Sequence, residues 1–147
     1  MDIKDSQTVV RPKRHRTLGI VLAVLACLAV ACTVGFLAYA SDYYHADATA
    51  QAVLQSDTTL EVEGSYTVLA PDTPSDTALI FYPGAKVEHT AYLPLLEQLK
   101  ERGITCILVE MPFNMAIFDV NAADGAFALA PGVTHWFIGG HSMGGAM

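Results

Sequence analysis

The chain has 147 residues, enough for one modest domain, and 52% of them are hydrophobic against 16% charged, a balance outside the range of disordered chains. The net charge is −7, and beyond residue 40 three basic residues face thirteen acidic ones; that excludes a basic patch of the kind that binds nucleic acid. Of the three cysteines, Cys27 and Cys32 lie in one apolar run and Cys106 stands alone in "ITCILVE", so no disulfide framework and no metal site is implied.

Residues 1–16 carry Lys4, Arg11, Lys13, Arg14 and Arg16 against Asp2 and Asp5, a net of +3. The uncharged run Leu18–Ala40 follows. At about 1.5 Å of rise per residue it spans the roughly 30 Å hydrocarbon core of a bilayer. The cluster "RPKRHR" before it predicts a cytoplasmic N-terminus over 1–16 and a single-pass anchor over 17–40 in the cell membrane, with everything after Ala40 outside. Cleavage competes with retention: "AYA" at 38–40 has the small-x-small form of a signal-peptidase site, and "VLAC" and "LAVAC" faintly resemble lipoprotein sites at Cys27 and Cys32. The run exceeds the 7–15 residues of a signal-peptide core, and the chain stays apolar after both cysteines, which favours a retained anchor.

Residues 41–59 are expected to be a polar spacer with a short helix around Ala46–Gln55. "LEVEGSYTVLAP" predicts a β-hairpin turning at Glu63-Gly64-Ser65, and "PDTPSD" a loop. "TALIFYPG" is an apolar run of strand length stopped by Pro-Gly. In "HTAYLPLLEQLKERG", Tyr92, Leu95, Leu96 and Leu99 share one helical face, with Thr90 as expected cap, Pro94 in the first turn and Gly103 as stop. "ITCILVE" is a strand buried on both faces, "MPFNMAIFD" a loop, "VNAADGAFALAPG" a short helix, and "THWFIGG" a third strand. Strands alternating with helices predict an α/β fold, a parallel sheet with helices on both faces, over 60–147.

The last strand runs into Gly140-His141-Ser142-Met143-Gly144, which fits G-x-S-x-G between a strand and a helix. Such a turn holds a serine hydroxyl above the carboxyl edge of a sheet, and side chains at Gly140 and Gly144 would strike neighbouring backbone. The helix start behind Ser142 adds positive potential where an oxyanion forms. The competing use, a phosphate-binding turn, lacks the P-loop lysine and the G-x-G-x-x-G spacing. "FYPGAKV" lies where a second amide donor belongs: the N–H of Ala85 pairs naturally with that of Met143.

The segments "LIFYPGAKVEHTAYLPLLEQLKERGITCILVEMPFNMAIFDVNAADGAF" and "HWFIGGHSMGGAM" resemble the α/β-hydrolase superfamily, most closely its small, often membrane-anchored bacterial branch related to dienelactone hydrolases. The resemblance implies a Ser–His–acid triad, an acyl-enzyme and no cofactor. Ser142 is then the nucleophile, and the Ala85 and Met143 amides form the oxyanion hole.

In that family the acid and the histidine follow the nucleophile, whereas only Gly144, Gly145, Ala146 and Met147 follow Met143. The expectation is therefore the N-terminal half of such a domain, a fragment inactive alone whose partner is the missing C-terminal half. His141, His135 and His89 are expected in structural or surface roles, and Asp119 and Asp124 as loop and helix-start carboxylates. The expected function is hydrolysis of an ester, thioester or lactone, a small-molecule acyl substrate. The alternatives are a membrane-tethered pseudoenzyme or binding module, and a peptidase or acyltransferase on the same scaffold.

Overall fold

The structure, a computed structural model, describes residues 14–147, which fall into two units, one ending at Tyr39 and one running from Ala40 to Met147. Residues 11–13 of the basic cluster, on which the expected membrane orientation rests, lie outside the described residues.

Among the described residues the first unit is formed by one helix, α1 (Arg14–Ser41), whose last two residues fall in the second unit. The apolar window within its stretch Arg16–Ser41 has a mean hydropathy of 2.8 and no buried residue, while Ala40 near its end is buried. Leu18, Val21, Leu25 and Leu28 are exposed on it alongside Ile20, Val24 and Val30, so the helix is apolar all round with no polar stripe, as a bilayer-crossing helix is. It is long and apolar enough to cross a membrane.

The second unit is built on five strands: β1 (Leu60–Glu63), β2 (Tyr66–Leu69), β3 (Thr77–Tyr82), β4 (Thr105–Val109) and β5 (His135–Gly140), in the order β1-β2-β4-β3-β5. The expected hairpin forms, with Gly64 at φ 59° in its turn, a left-handed conformation that glycine adopts without steric cost. β4, β3 and β5 are mutually parallel, but β2 runs antiparallel against β4. The sheet is therefore mixed, with a parallel core extended by the hairpin.

Alternation along the central strands sends side chains to two cores. Val68, Ile80, Tyr82, Ile107 and Val109 pack on one face under α4 (Ala123–Ala126). Leu69, Phe81, Cys106 and Leu108 pack on the other against α2 (Ala48–Ser56) and α3 (Leu93–Lys100). Every residue of β4 is buried, which is why "ITCILVE" is apolar from Cys106 to Val109, with Thr105 a buried polar residue at the strand's start. Burial pushes the Cys106 thiol up to about 12, so it is an inert packing group.

Three local expectations are corrected. The stretch expected as a spacer is part of the globular unit: Asp47 caps α2 through the Ala50 amide, Ala50 and Val53 are buried, and Asp57 at its end meets Lys100 of α3 at 2.7 Å. Thr90 caps no helix. Its hydroxyl donates to Glu88 at 2.7 Å, because a 3-10 turn over His89–Tyr92 precedes α3. The loop "MPFNMAIFD" is two 3-10 turns, Pro112–Asn114 and Ala116–Phe118.

β5 forms one edge of the sheet, and its Phe137 and Ile138, on opposite faces, are 60% and 61% exposed. An apolar edge with unpaired backbone groups recruits further strands. Residues 41–147 expressed alone are expected to self-associate by sedimentation velocity, and lysine at both positions to shift them toward monomer. A monomeric unsubstituted fragment would contradict this.

Candidate active site

The carboxyl ends of β3 and β5 lie side by side, with Tyr82 opposite Gly140. From β5 the chain turns through His141 and Ser142 into the single turn of α5 (Met143–Ala146). Ser142 sits at φ 51°, ψ −116°, a conformation that costs a non-glycine residue on the order of 1–3 kcal/mol. What holds it there is glycine packing. A Cβ on Gly140 would lie 2.5 Å from the Gly144 carbonyl carbon and 2.7 Å from the Gly145 nitrogen. A Cβ on Gly144 would overlap the Tyr82 and Pro83 carbonyl oxygens. Only a side-chain-free turn can press the serine against the end of β3. With one turn of described helix, α5 contributes free amides rather than an appreciable dipole.

Pro83-Gly84-Ala85 is the loop that Gly144 touches. The Gly84 amide donates to the Tyr92 hydroxyl at 3.0 Å and the Lys86 amide to the Asn114 carbonyl at 2.8 Å. The Ala85 amide between them donates to nothing among the described residues. In the elbow the His141 and Gly144 amides are bonded, to the carbonyls of Tyr82 and His141, while those of Ser142 and Met143 have no partner among the described residues. Ala85 and Met143 are thus free donors on two abutting segments, and unpaired N–H groups are what a developing oxyanion requires.

The loop is held at a conformational cost. Lys86 (φ 57°), Phe113 (φ 55°) and Asn114 (φ 53°) are all left-handed, and they meet at the hydrogen bond from Lys86 to Asn114. On its other side, residues 42–46 strap the loop. Tyr44 donates to the Lys86 carbonyl at 2.8 Å and accepts from the Glu88 amide at 2.9 Å, and the Glu88 carboxylate accepts from the Ala46 amide at 2.9 Å.

Residues 78–147 match the family model described as alpha/beta hydrolase family. This part of the chain, from β3 through α5, has an α/β-hydrolase-type scaffold, and the turn at Ser142 and the loop at Ala85 lie at the carboxyl edge of its sheet. Searches of curated proteins and of solved structures gave no match.

On this hydrolase-type scaffold no described histidine meets the serine. The Ser142 hydroxyl makes no hydrogen bond among the described residues. His141 turns away to the Tyr92 hydroxyl, 2.8 Å from its Nδ1. His135 lies at the far end of β5 with Thr134 and Asp76. His45 pairs with Glu88 at 3.3 Å. His89 is half-buried, and desolvation lowers its pKa despite Glu110 and Glu88. Asp119 and Asp124 are exposed; their charges add to the desolvation that raises the Tyr82 pKa. Tyr82 accepts from the Ala123 amide at 2.7 Å and donates to the Val120 carbonyl at 3.2 Å, fixing β3 under α4. The sequence signals neither the Tyr92–His141 contact nor the Asn114 contact, because both join residues far apart in the chain.

The Glu88 carboxyl is held below its usual range, first by the Ala46 amide, then by Thr90 and His45. A depressed carboxylate stabilises the folded state above its unfolded pKa, and that contribution disappears as pH falls through the lower, folded value. Protection of the Ala46 and Glu88 amides, exchange measured relative to the intrinsic rate at each pH, is therefore expected to hold at neutral pH and to fall in acid below the usual carboxylate range. Glu88→Gln should flatten that pH dependence.

Proposed function

We propose that the protein is a membrane-anchored serine hydrolase that cleaves an ester, thioester or lactone through an acyl-enzyme on Ser142. The observation that carries this is the strained Ser142 turn packed by Gly140 and Gly144 against the Ala85 loop. In this reading Ser142 Oγ attacks the acyl carbon, and the Ala85 and Met143 amides receive the developing oxyanion. The resemblance to the branch related to dienelactone hydrolases supports the substrate class. α1 supports the anchoring by length and composition, and the basic N-terminus supports placing the hydrolase domain outside the cytoplasmic membrane.

A serine hydroxyl is a weak nucleophile without a base, so the reading requires a histidine that the described residues do not bring to Ser142. That same observation favours the second reading, a tethered pseudoenzyme that binds acyl compounds without turning them over. Hydrolysis of short-chain p-nitrophenyl esters by the natural gene product separates the two. The hydrolase is expected to lose at least about 10⁴-fold in kcat on Ser142→Ala. Turnover equal in wild type and Ser142→Ala would leave only the pseudoenzyme.

A further inference from the structure

The residue before the serine, His141, is tied to the loop that carries Ala85. Its Nδ1 lies 2.8 Å from the Tyr92 hydroxyl, which in turn accepts the Gly84 amide at 3.0 Å. The phenol oxygen thus joins two hydrogen bonds, one accepted from the Gly84 amide and one shared with Nδ1 of His141. Tyr92 is braced by Phe81 of β3, ring centroids 5.0 Å apart, and its ring faces that of His141 at 5.9 Å. Gly84 makes the junction possible: a Cβ there would lie 2.7 Å from Nδ1 of His141 and 3.0 Å from the Tyr92 oxygen.

We infer that Tyr92 and His141 are positioning residues that lock the Gly84-Ala85 loop to the Ser142 turn, so that the free Ala85 amide is held in register with the serine. The catalytic part of this inference rests on the hydrolase reading above; the fastening does not. The chain of bonds from Gly84 through Tyr92 to His141 crosses from the end of β3 to the end of β5, and it fixes the amide on the amino side of Ala85. Asn114 fixes the amide on the other side. Neither side chain needs to touch substrate. Each acts through the placement of a backbone donor, and a misplacement of about 1 Å at such a donor can cost on the order of 10²-fold in rate.

Two measurements on the natural gene product test this. The first is hydrogen exchange over residues 83–87. Tyr92→Phe, which removes both bonds, is expected to accelerate exchange at Gly84 about tenfold or more, and His141→Ala to do so less. His141→Asn, whose Oδ1 can take the place of Nδ1, should restore slow exchange. The second is p-nitrophenyl ester hydrolysis. Tyr92→Phe is expected to lower kcat about 10- to 100-fold with KM within about twofold, because an oxyanion donor acts on the transition state rather than on bound substrate. A loss in His141→Ala should be recovered in His141→Asn. Unchanged exchange at Gly84 in Tyr92→Phe would overturn the fastening whether or not the protein turns over esters. Accelerated exchange with unchanged Ser142-dependent kcat would overturn the positioning role. Ester turnover indifferent to Ser142→Ala would remove the hydrolase reading and the positioning role with it, while the exchange result still decides the fastening.

Discussion

Ser142→Gly is expected to raise the melting temperature of the globular unit while abolishing every reaction that depends on the hydroxyl. At φ 51°, ψ −116° a Cβ is forced into a region that costs on the order of 1–3 kcal/mol, and glycine enters it freely. Glycine's greater freedom in the unfolded chain takes back about 0.5–1 kcal/mol. The net is a gain of about 1 kcal/mol, or roughly 4 °C for a unit of this size. Ser142→Ala keeps the Cβ and so the strain, and its melting temperature should stay near that of wild type. Thermal melts of the two variants isolate the strain from the chemistry. A glycine variant no more stable than the alanine variant would mean that the turn stores none.

Gly144→Ala is expected to have the opposite and larger effect. The added methyl would overlap the carbonyl oxygens of Tyr82 and Pro83. Neither oxygen can yield cheaply: Tyr82 is paired in β3 with Gly140 of β5, and Pro83 is fixed by its ring and fully buried. Overpacking against backbone on this scale costs about 3 kcal/mol or more, a fall of roughly 12 °C or more in melting temperature. Gly132 has nothing within 4 Å of the same added methyl, so Gly132→Ala should change stability by no more than about 0.5 kcal/mol. Thermal melts of both test whether the turn is shaped by contact or merely by glycine's flexibility. Equal, small shifts would show that the turn relaxes.

These residues also mark how far the sequence alone could be read. The central strands are legible because burial on two faces favours nearly continuous apolar runs, as residues 106–109 of β4 illustrate. The glycines at 64, 103, 140 and 144 were legible for two different reasons. Gly64 and Gly103 adopt positive φ (59° and 84°), while Gly140 and Gly144 are sites of close backbone approach. What escaped is tertiary. No local signal requires Lys86, Phe113 and Asn114 to be left-handed; that follows from a hydrogen bond between residues 28 positions apart. The hairpin's antiparallel docking on β4 has no local signature either, since register across a sheet is set by the partner. The helix α2 is legible as a short helix around Ala46–Gln55, but not its packing: the weak apolar pattern reads as spacer, yet Ala50 and Val53 suffice to seat it. His141 was legible only as a neighbour of the serine. Its role depends on Tyr92, a residue whose helical periodicity pointed to the core rather than to the loop beside it.

The proposed chemistry comes down to whether Ser142 is an activated nucleophile. A fluorophosphonate probe forms a stable covalent adduct only on such a serine. Treatment of the natural gene product, followed by digestion and peptide mass spectrometry, is expected to place one adduct on Ser142, blocked by Ser142→Ala and slowed by Tyr92→Phe. An unlabelled Ser142, or labelling that persists in Ser142→Ala, would contradict the hydrolase reading.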